Sequence, residues 1–223
     1  MPESNGKLRF IFSFGAFFVA LWLLWNTPIV YPLKIFVVLL HEVSHAIAAV
    51  ATGGTLDRIE LDPYQGGATH FTGGNAFVAL NAGYLGSLLW GALLFSAART
   101  SWIRSDWVNG LIGVLVILLT AFFIRSGFGI AFGIVFGLAM VAASQQMNQL
   151  LNRRLLYVLG LTSALYAILD IKSDVIDRPE LTQSDAAVLG EMLGVSGVVV
   201  GIVWIAIALV FSAWLLKRAY QDA

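Results

Sequence analysis

The chain of 223 residues contains no cysteine, which excludes disulfide bonds, thiolate metal ligands and a cysteine nucleophile. It is also poor in charge, because Asp, Glu, Lys and Arg make up only 12% of it, against about a quarter of a soluble domain. Hydrophobic residues make up 59%. This balance excludes an ordinary soluble protein and predicts a single integral-membrane domain over residues 1–223.

The positive and negative charges of the chain are equal in number. Lys plus Arg and Asp plus Glu number 13 each, so no net field attracts nucleic acid, and no motif that reads DNA or RNA occurs. The partners that this composition predicts are the lipid bilayer and a membrane-protein or peptide substrate. No feature of the sequence indicates an oligomeric state.

Long apolar runs are abundant, and a helix that crosses a bilayer needs about 20 such residues. The first run follows Lys7 and Arg9 as a signal peptide would, but its length and the lack of a cleavage site predict a retained span. The fourth and fifth runs are short and contain glycine, so an all-α polytopic fold with six or seven transmembrane helices is expected. The runs cover residues 8–25, 29–51, 76–98, 108–124, 128–143, 155–171 and 195–216.

Two stretches are too polar to span a membrane. Residues 55–74 read TLDRIELDPYQGGATHFTGG, in which Leu56, Ile59 and Leu61 lie among charged residues and two glycine pairs follow. This pattern predicts a short β or re-entrant segment directly after the second helix. Residues 172–194 are polar as well, and residues 182–185, which end in Ser184 and Asp185, are expected to cap an amphipathic helix over residues 186–193.

The stretch HEVSHAIAAV begins at His41 inside the second apolar run. His41, Glu42 and His45 form the pattern H-E-x-x-H, in which two imidazoles four residues apart lie on one face of a helix and reach one metal ion. Glu42 then lies beside the ion as a general base. Structural histidines are the alternative, but each ionisable residue inside a span costs roughly 2.5–3.5 kcal/mol without a partner. The pattern therefore predicts a Zn²⁺ site.

A catalytic zinc ion usually takes three protein ligands and a water molecule, and several acidic residues and one histidine are candidates for the third ligand. Glu60, Asp62 and His70 lie in the glycine-rich segment, which could fold back onto the histidines. Asp170 is preferred, because a carboxylate that closes an apolar helix is costly without a partner. Asp174 lies one turn further along the same face and is expected to orient a ligating imidazole.

Several motifs together resemble a known family. HEVSHAIAA on a membrane span, the loop GGATHFTGG, NAGYLGSLLWGALL and the late LYAILDIKSDVI are similar to the site-2 protease class of intramembrane zinc metalloproteases, in its compact bacterial peptidase-like branch. The resemblance covers most of residues 29–185. It implies zinc held by His41, His45 and Asp170, Glu42 as the base, and a multi-pass protein of the bacterial cell membrane.

The sequence departs from the family pattern around the third ligand. Better-studied members carry their aspartate in an Asn-x-x-Pro…Asp-Gly context, whereas Ile171 follows Asp170 here. The substrate-binding asparagine of the family is then best matched by Asn81. Gly66 and Gly67 would allow an extended substrate to approach the backbone of the glycine-rich segment.

The sequence as a whole predicts an intramembrane zinc-dependent endopeptidase that cleaves transmembrane segments of membrane proteins with a metal-activated water molecule. The alternative is a non-catalytic membrane binding or assembly factor that retains the protease fold. Glu42 argues against this alternative, because a binding site needs no base beside its ligands. A transporter would show repeated broken helices in two halves, and none is visible.

Overall fold

The computed structural model describes residues 2–24, 27–172 and 184–221. Eight helices and one β-hairpin make up this part of the chain, and the hairpin follows the second helix, which confirms the predicted all-α fold with a short β segment. The elements are α1 (Pro2–Leu24), α2 (Tyr31–Ala51), β1 (Thr55–Leu61), β2 (Gly67–Thr72), α3 (Ala76–Arg99), α4 (Ser105–Phe122), α5 (Gly127–Gln146), α6 (Gln149–Lys172), α7 (Asp185–Leu193) and α8 (Gly197–Gln221).

Five of the described helices, α2, α3, α4, α5 and α8, are long and apolar enough to cross a membrane. The short fourth and fifth runs of the sequence are among them. Helices α1 and α6 have 23 and 24 residues and correspond to the other two expected spans. Whether these two also cross the membrane stays a prediction.

Local sequence determines where α2 ends and α3 begins. Pro32 lies in the first turn of α2, where its missing N–H costs nothing. The helix ends before Gly53, because its φ of 90° is incompatible with a right-handed helix. The backbone N–H of Asn75 donates to the hydroxyl of Thr52 over 2.8 Å, and the Asn75 side chain caps α3 by accepting from the N–H of Val78. These contacts join the two antiparallel helices at one end.

The two strands form an antiparallel hairpin in which Ile59 lies opposite Thr69. The other edge of β1 is also occupied. The N–H of Ile59 donates to the carbonyl of Phe123 over 2.9 Å, and the N–H of Arg125 donates to the carbonyl of Ile59 over 3.0 Å. Strand β1 therefore lies between β2 and the loop that joins α4 to α5.

The hairpin runs back along α2. Its tip is held by the hydroxyl of Tyr31, which donates to the carbonyl of Pro63 over 2.7 Å. Ile59 and Leu61 are buried in the main hydrophobic core, together with side chains of α2, α3, α5 and α6. This packing explains why a segment rich in charge and glycine forms strands inside a helical protein.

Small residues allow the long helices to pack closely. A methyl group at Gly91 in α3 would lie 2.6 Å from the backbone nitrogen of Ala164 in α6. A methyl group at Gly113 in α4 would lie 2.6 Å from the carbonyl oxygen of Gly137 in α5. Such contacts between backbones are typical of helices that associate in a membrane.

Candidate metal centre

Helix α2 brings the residues of the H-E-x-x-H pattern together. Ligand atoms of His41, Glu42 and His45 all lie within 4.8 Å of one another, and the two imidazole rings are 4.6 Å apart between centroids. Glu42 and His45 are buried, and His41 is half-buried. The geometry expected from the helical spacing is therefore present.

Asp185, the first residue of α7, faces both imidazoles. Its Oδ2 atom lies 2.9 Å from Nε2 of His41 and 3.1 Å from Nε2 of His45. Sequence reasoning missed this residue, because it predicted the α7 helix from residue 186 onward and gave Asp185 only a capping role. One carboxylate oxygen and two imidazole nitrogens thus converge on one point.

The local sequence of α7 explains the position of Asp185. The hydroxyl of Ser184 accepts from the N–H of Ala187 over 3.3 Å and starts the helix. Gly194, with a φ of 70°, ends it. Leu189 is buried with Trp204 of α8 in a cluster on one side of α3. The short helix is therefore anchored at both ends, with its first residue directed at α2.

The contacts of His45 test whether a metal ion fits this point. Its Nδ1 atom lies 2.8 Å from the carbonyl oxygen of Ala79, and a carbonyl only accepts, so Nδ1 carries the hydrogen. A neutral His45 then presents the lone pair of Nε2 to the carboxylate oxygen of Asp185, which is also an acceptor. A cation between the two acceptors would satisfy both of them. Two imidazoles and one carboxylate are a donor set of catalytic zinc sites.

Helix α3 contributes the back wall of the candidate metal centre. A methyl group at Gly83 would lie 2.5 Å from Nε2 of His41 and 2.6 Å from Cε1 of His45, so only glycine fits there. The ring of Tyr84 packs edge-on against His41, with 4.7 Å between centroids. These contacts give the NAGYLG stretch a role in positioning the histidines.

Strand β2 lies over the carboxylate of Glu42. The hydroxyl of Thr69 lies 2.7 Å from Oε2 of Glu42 and donates there, and it also lies 2.9 Å from the main-chain carbonyl oxygen of the same residue. A methyl group at Gly67 would lie 2.5 Å from Oε1 of Glu42. Both carboxylate oxygens are therefore next to β2.

A cavity of about 720 Å³ opens beside these residues. Helices α2, α3 and α7 form its floor and walls, and the hairpin forms one side. It is lined by Val38, His41, Glu42, His45, Asp62, Tyr64, Gln65, Gly66, Gly67, Ala68, Thr69, Phe71, Ala79, Leu80, Tyr84, Ser184 and Asp185.

A family model described as peptidase M50B-like matches residues 14–215. The chain belongs to the peptidase M50B-like family. This result confirms the resemblance to the site-2 protease class, and together with the five candidate spans it makes the chain an integral, multi-pass membrane protein. No curated protein and no solved structure matches the chain.

The cavity of this M50B-like peptidase is lined by Gly66 and Gly67, which the sequence predicts to bind substrate. Asn81 is directed elsewhere. Its Oδ1 atom accepts from the indole N–H of Trp204 over 2.9 Å, and its Nδ2 atom donates to the carbonyl of Phe77 over 2.8 Å. Both ends of the amide have protein partners, so this geometry does not support a substrate-binding role for Asn81, which stays a prediction.

Three other candidates for the third ligand of the M50B-like chain, Glu60, Asp62 and His70, lie in the hairpin. Glu60 is partly exposed and accepts from Nε of Arg58 over 2.7 Å, and this hydrogen bond holds the pKa of Glu60 below its ordinary value. His70 lies 3.8 Å from Glu60, and the carboxylate of Asp62 accepts from the N–H of Tyr64 in the hairpin turn. These three interactions lie within the hairpin, and Asp62 also lines the cavity beside the histidines.

Asp170, the preferred third ligand from the sequence, belongs to α6 by its backbone. Its side chain and the whole of Asp174 lie outside the described residues. The predicted ligand role of Asp170 and the predicted orienting role of Asp174 are therefore untested by the geometry.

Proposed function

We propose that this M50B-like peptidase is an intramembrane zinc endopeptidase. The observation that carries the proposal is the convergence of His41, His45 and Asp185 on one point beside the buried Glu42. These three side chains would hold the ion, and Asp185 takes the ligand role that the sequence assigned to Asp170. When bound, zinc polarises the scissile carbonyl and lowers the pKa of a water molecule. The bacterial cell membrane is the proposed location.

Glu42 moves the proton in this proposal. It is adjacent to His41 on α2, it lines the cavity, and its carboxylate lies within 4.8 Å of the ligand nitrogens. From there it accepts a proton from the attacking water and delivers it to the amide nitrogen that leaves. Its burial excludes bulk water, which would otherwise compete for that proton.

The outer edge of β2 is the proposed site for substrate backbone. Because the N–H and C=O of Ile59 point at the α4–α5 loop, the opposite residue, Thr69, directs its own N–H and C=O away from β1. By alternation, the main-chain groups of Gly67 and Phe71 point the same way. All three residues line the cavity.

A transmembrane substrate must lose its helical hydrogen bonds before an amide can be cleaved. Main-chain pairing with the outer edge of β2 would replace those bonds and hold the substrate extended beside Glu42. Single-span membrane proteins are the substrate class that fits this arrangement.

Metal removal tests the proposal. The purified protein should cleave a single-span model substrate in proteoliposomes, lose that activity on treatment with a chelator, and regain it when about one equivalent of Zn²⁺ is added back. Cleavage that persists in the metal-free protein would refute a zinc mechanism. Zinc binding without any cleavage would favour the non-catalytic binding or assembly factor.

A further inference from the structure

The side chain of Thr69 connects β2 to the carboxylate that the proposed function uses as a base. Its hydroxyl lies 2.7 Å from Oε2 of Glu42 and 2.9 Å from the Glu42 carbonyl oxygen. We propose that Thr69 is a positioning residue, which holds the Glu42 carboxylate in its working orientation and links it to the strand that receives substrate. This inference rests on the proposed function.

The need for such a residue follows from the chemistry of glutamate. Its side chain has several rotatable bonds, and a base is effective only when it lies within hydrogen-bond reach of the proton that it abstracts. A hydroxyl that donates to Oε2 fixes the carboxylate plane and occupies one oxygen. The other oxygen, Oε1, lies against Gly67, and it remains to take up the proton.

The backbone of Thr69 has a second role in the same arrangement. Its N–H and C=O point to the outer edge of β2, where an extended substrate would pair, while its side chain points to α2. A substrate strand that pairs there restrains Thr69, and through its hydroxyl it restrains Glu42. Docking of the substrate and orientation of the base are thereby coupled through one residue.

Three variants separate this role from a structural one. Thr69→Val removes the hydroxyl but keeps the branched shape that suits a strand. Thr69→Ser restores the hydroxyl. Thr72→Val is the matched control, because the Thr72 hydroxyl also lies near a carboxylate, 3.0 Å from Oδ2 of Asp57, but at the exposed end of the same strand.

The measurements are kcat and KM for one single-span substrate, together with zinc content. Since a hydrogen bond to a charged group contributes about 1.5–3 kcal/mol, Thr69→Val should lower kcat roughly 10- to 100-fold. KM and zinc content should stay within about twofold, since the ligands and the strand edge remain. Thr69→Ser should recover most of kcat, and Thr72→Val should match the wild type.

The outcomes distinguish this inference from the proposed function. Wild-type cleavage that is lost in Glu42→Gln but retained in Thr69→Val would overturn the role of Thr69 alone. A fall in zinc content in Thr69→Val, or a failure of Thr69→Ser to recover kcat, would assign Thr69 a structural role instead. If the wild type itself cleaves nothing, both the proposed function and the positioning role are refuted.

Discussion

Asp185 and His41 are 144 positions apart in sequence, yet Oδ2 of the aspartate lies 2.9 Å from Nε2 of the histidine. This contact brings α7 onto α2 and completes a set of three donors with His45. It also explains why an acidic residue begins a short helix that packs against α3 and α8.

The first prediction concerns zinc content. Asp185→Ala should weaken zinc binding strongly, because it removes a ligand. The loss should exceed the roughly 10- to 100-fold that follows when a residue that only hydrogen-bonds to a ligand is removed. Asp170→Ala should bind zinc like the wild type. Metal analysis of the purified variants measures both values. Normal zinc content in Asp185→Ala with loss in Asp170→Ala would restore the ligand set predicted from the sequence.

The second prediction concerns the glycine behind the histidines. Gly83→Ala should lose most bound zinc, since the added methyl group would lie 2.5 Å from Nε2 of His41. Gly127→Ala is the control, because a methyl group there meets nothing within 4 Å. Zinc content and thermal stability of both variants are the measurements. An unchanged zinc content in Gly83→Ala would show that α3 is not the back wall of the site.

The third prediction concerns the outer edge of β2. Phe71→Pro removes one outward-facing N–H from an edge strand, a position where proline is tolerated. It should raise KM by about tenfold, the scale of one or two lost hydrogen bonds, with zinc content unchanged. Phe71→Ala controls for the lost ring. Gly67 is less suitable for this test, because any side chain there would contact Glu42.

An equal KM for Phe71→Pro and Phe71→Ala would argue that substrate does not pair with this strand. In that case the glycine-rich hairpin would serve only to cover Glu42.

Local spacing explains which parts of the site were predictable. His41, Glu42 and His45 lie within one turn or so of a single helix, so their convergence follows from helical geometry alone. The hairpin was also predictable, because apolar residues among charges and the glycine pairs that follow them are local signals. The helix near residues 186–193 followed from its capping residues, and α7 begins one residue earlier.

Asp185 could not be assigned in this way. Its approach to His41 depends on how α7 packs between α3 and α8, and no spacing rule describes that packing. Asp170 was preferred because a carboxylate in an apolar helix needs a partner, and its ligand role stays a prediction. The same limit applies to Asn81, whose amide is used by Trp204 and Phe77.

The most direct test of the central claim is cleavage by Glu42→Gln at a measured zinc content. Glutamine keeps the shape of the side chain and can still accept a hydrogen bond from Thr69, while the three ligands are untouched. We predict one zinc per chain, as in the wild type, and cleavage reduced by at least about two orders of magnitude, the scale of general-base catalysis. Cleavage at the wild-type rate by the zinc-loaded variant would contradict the account.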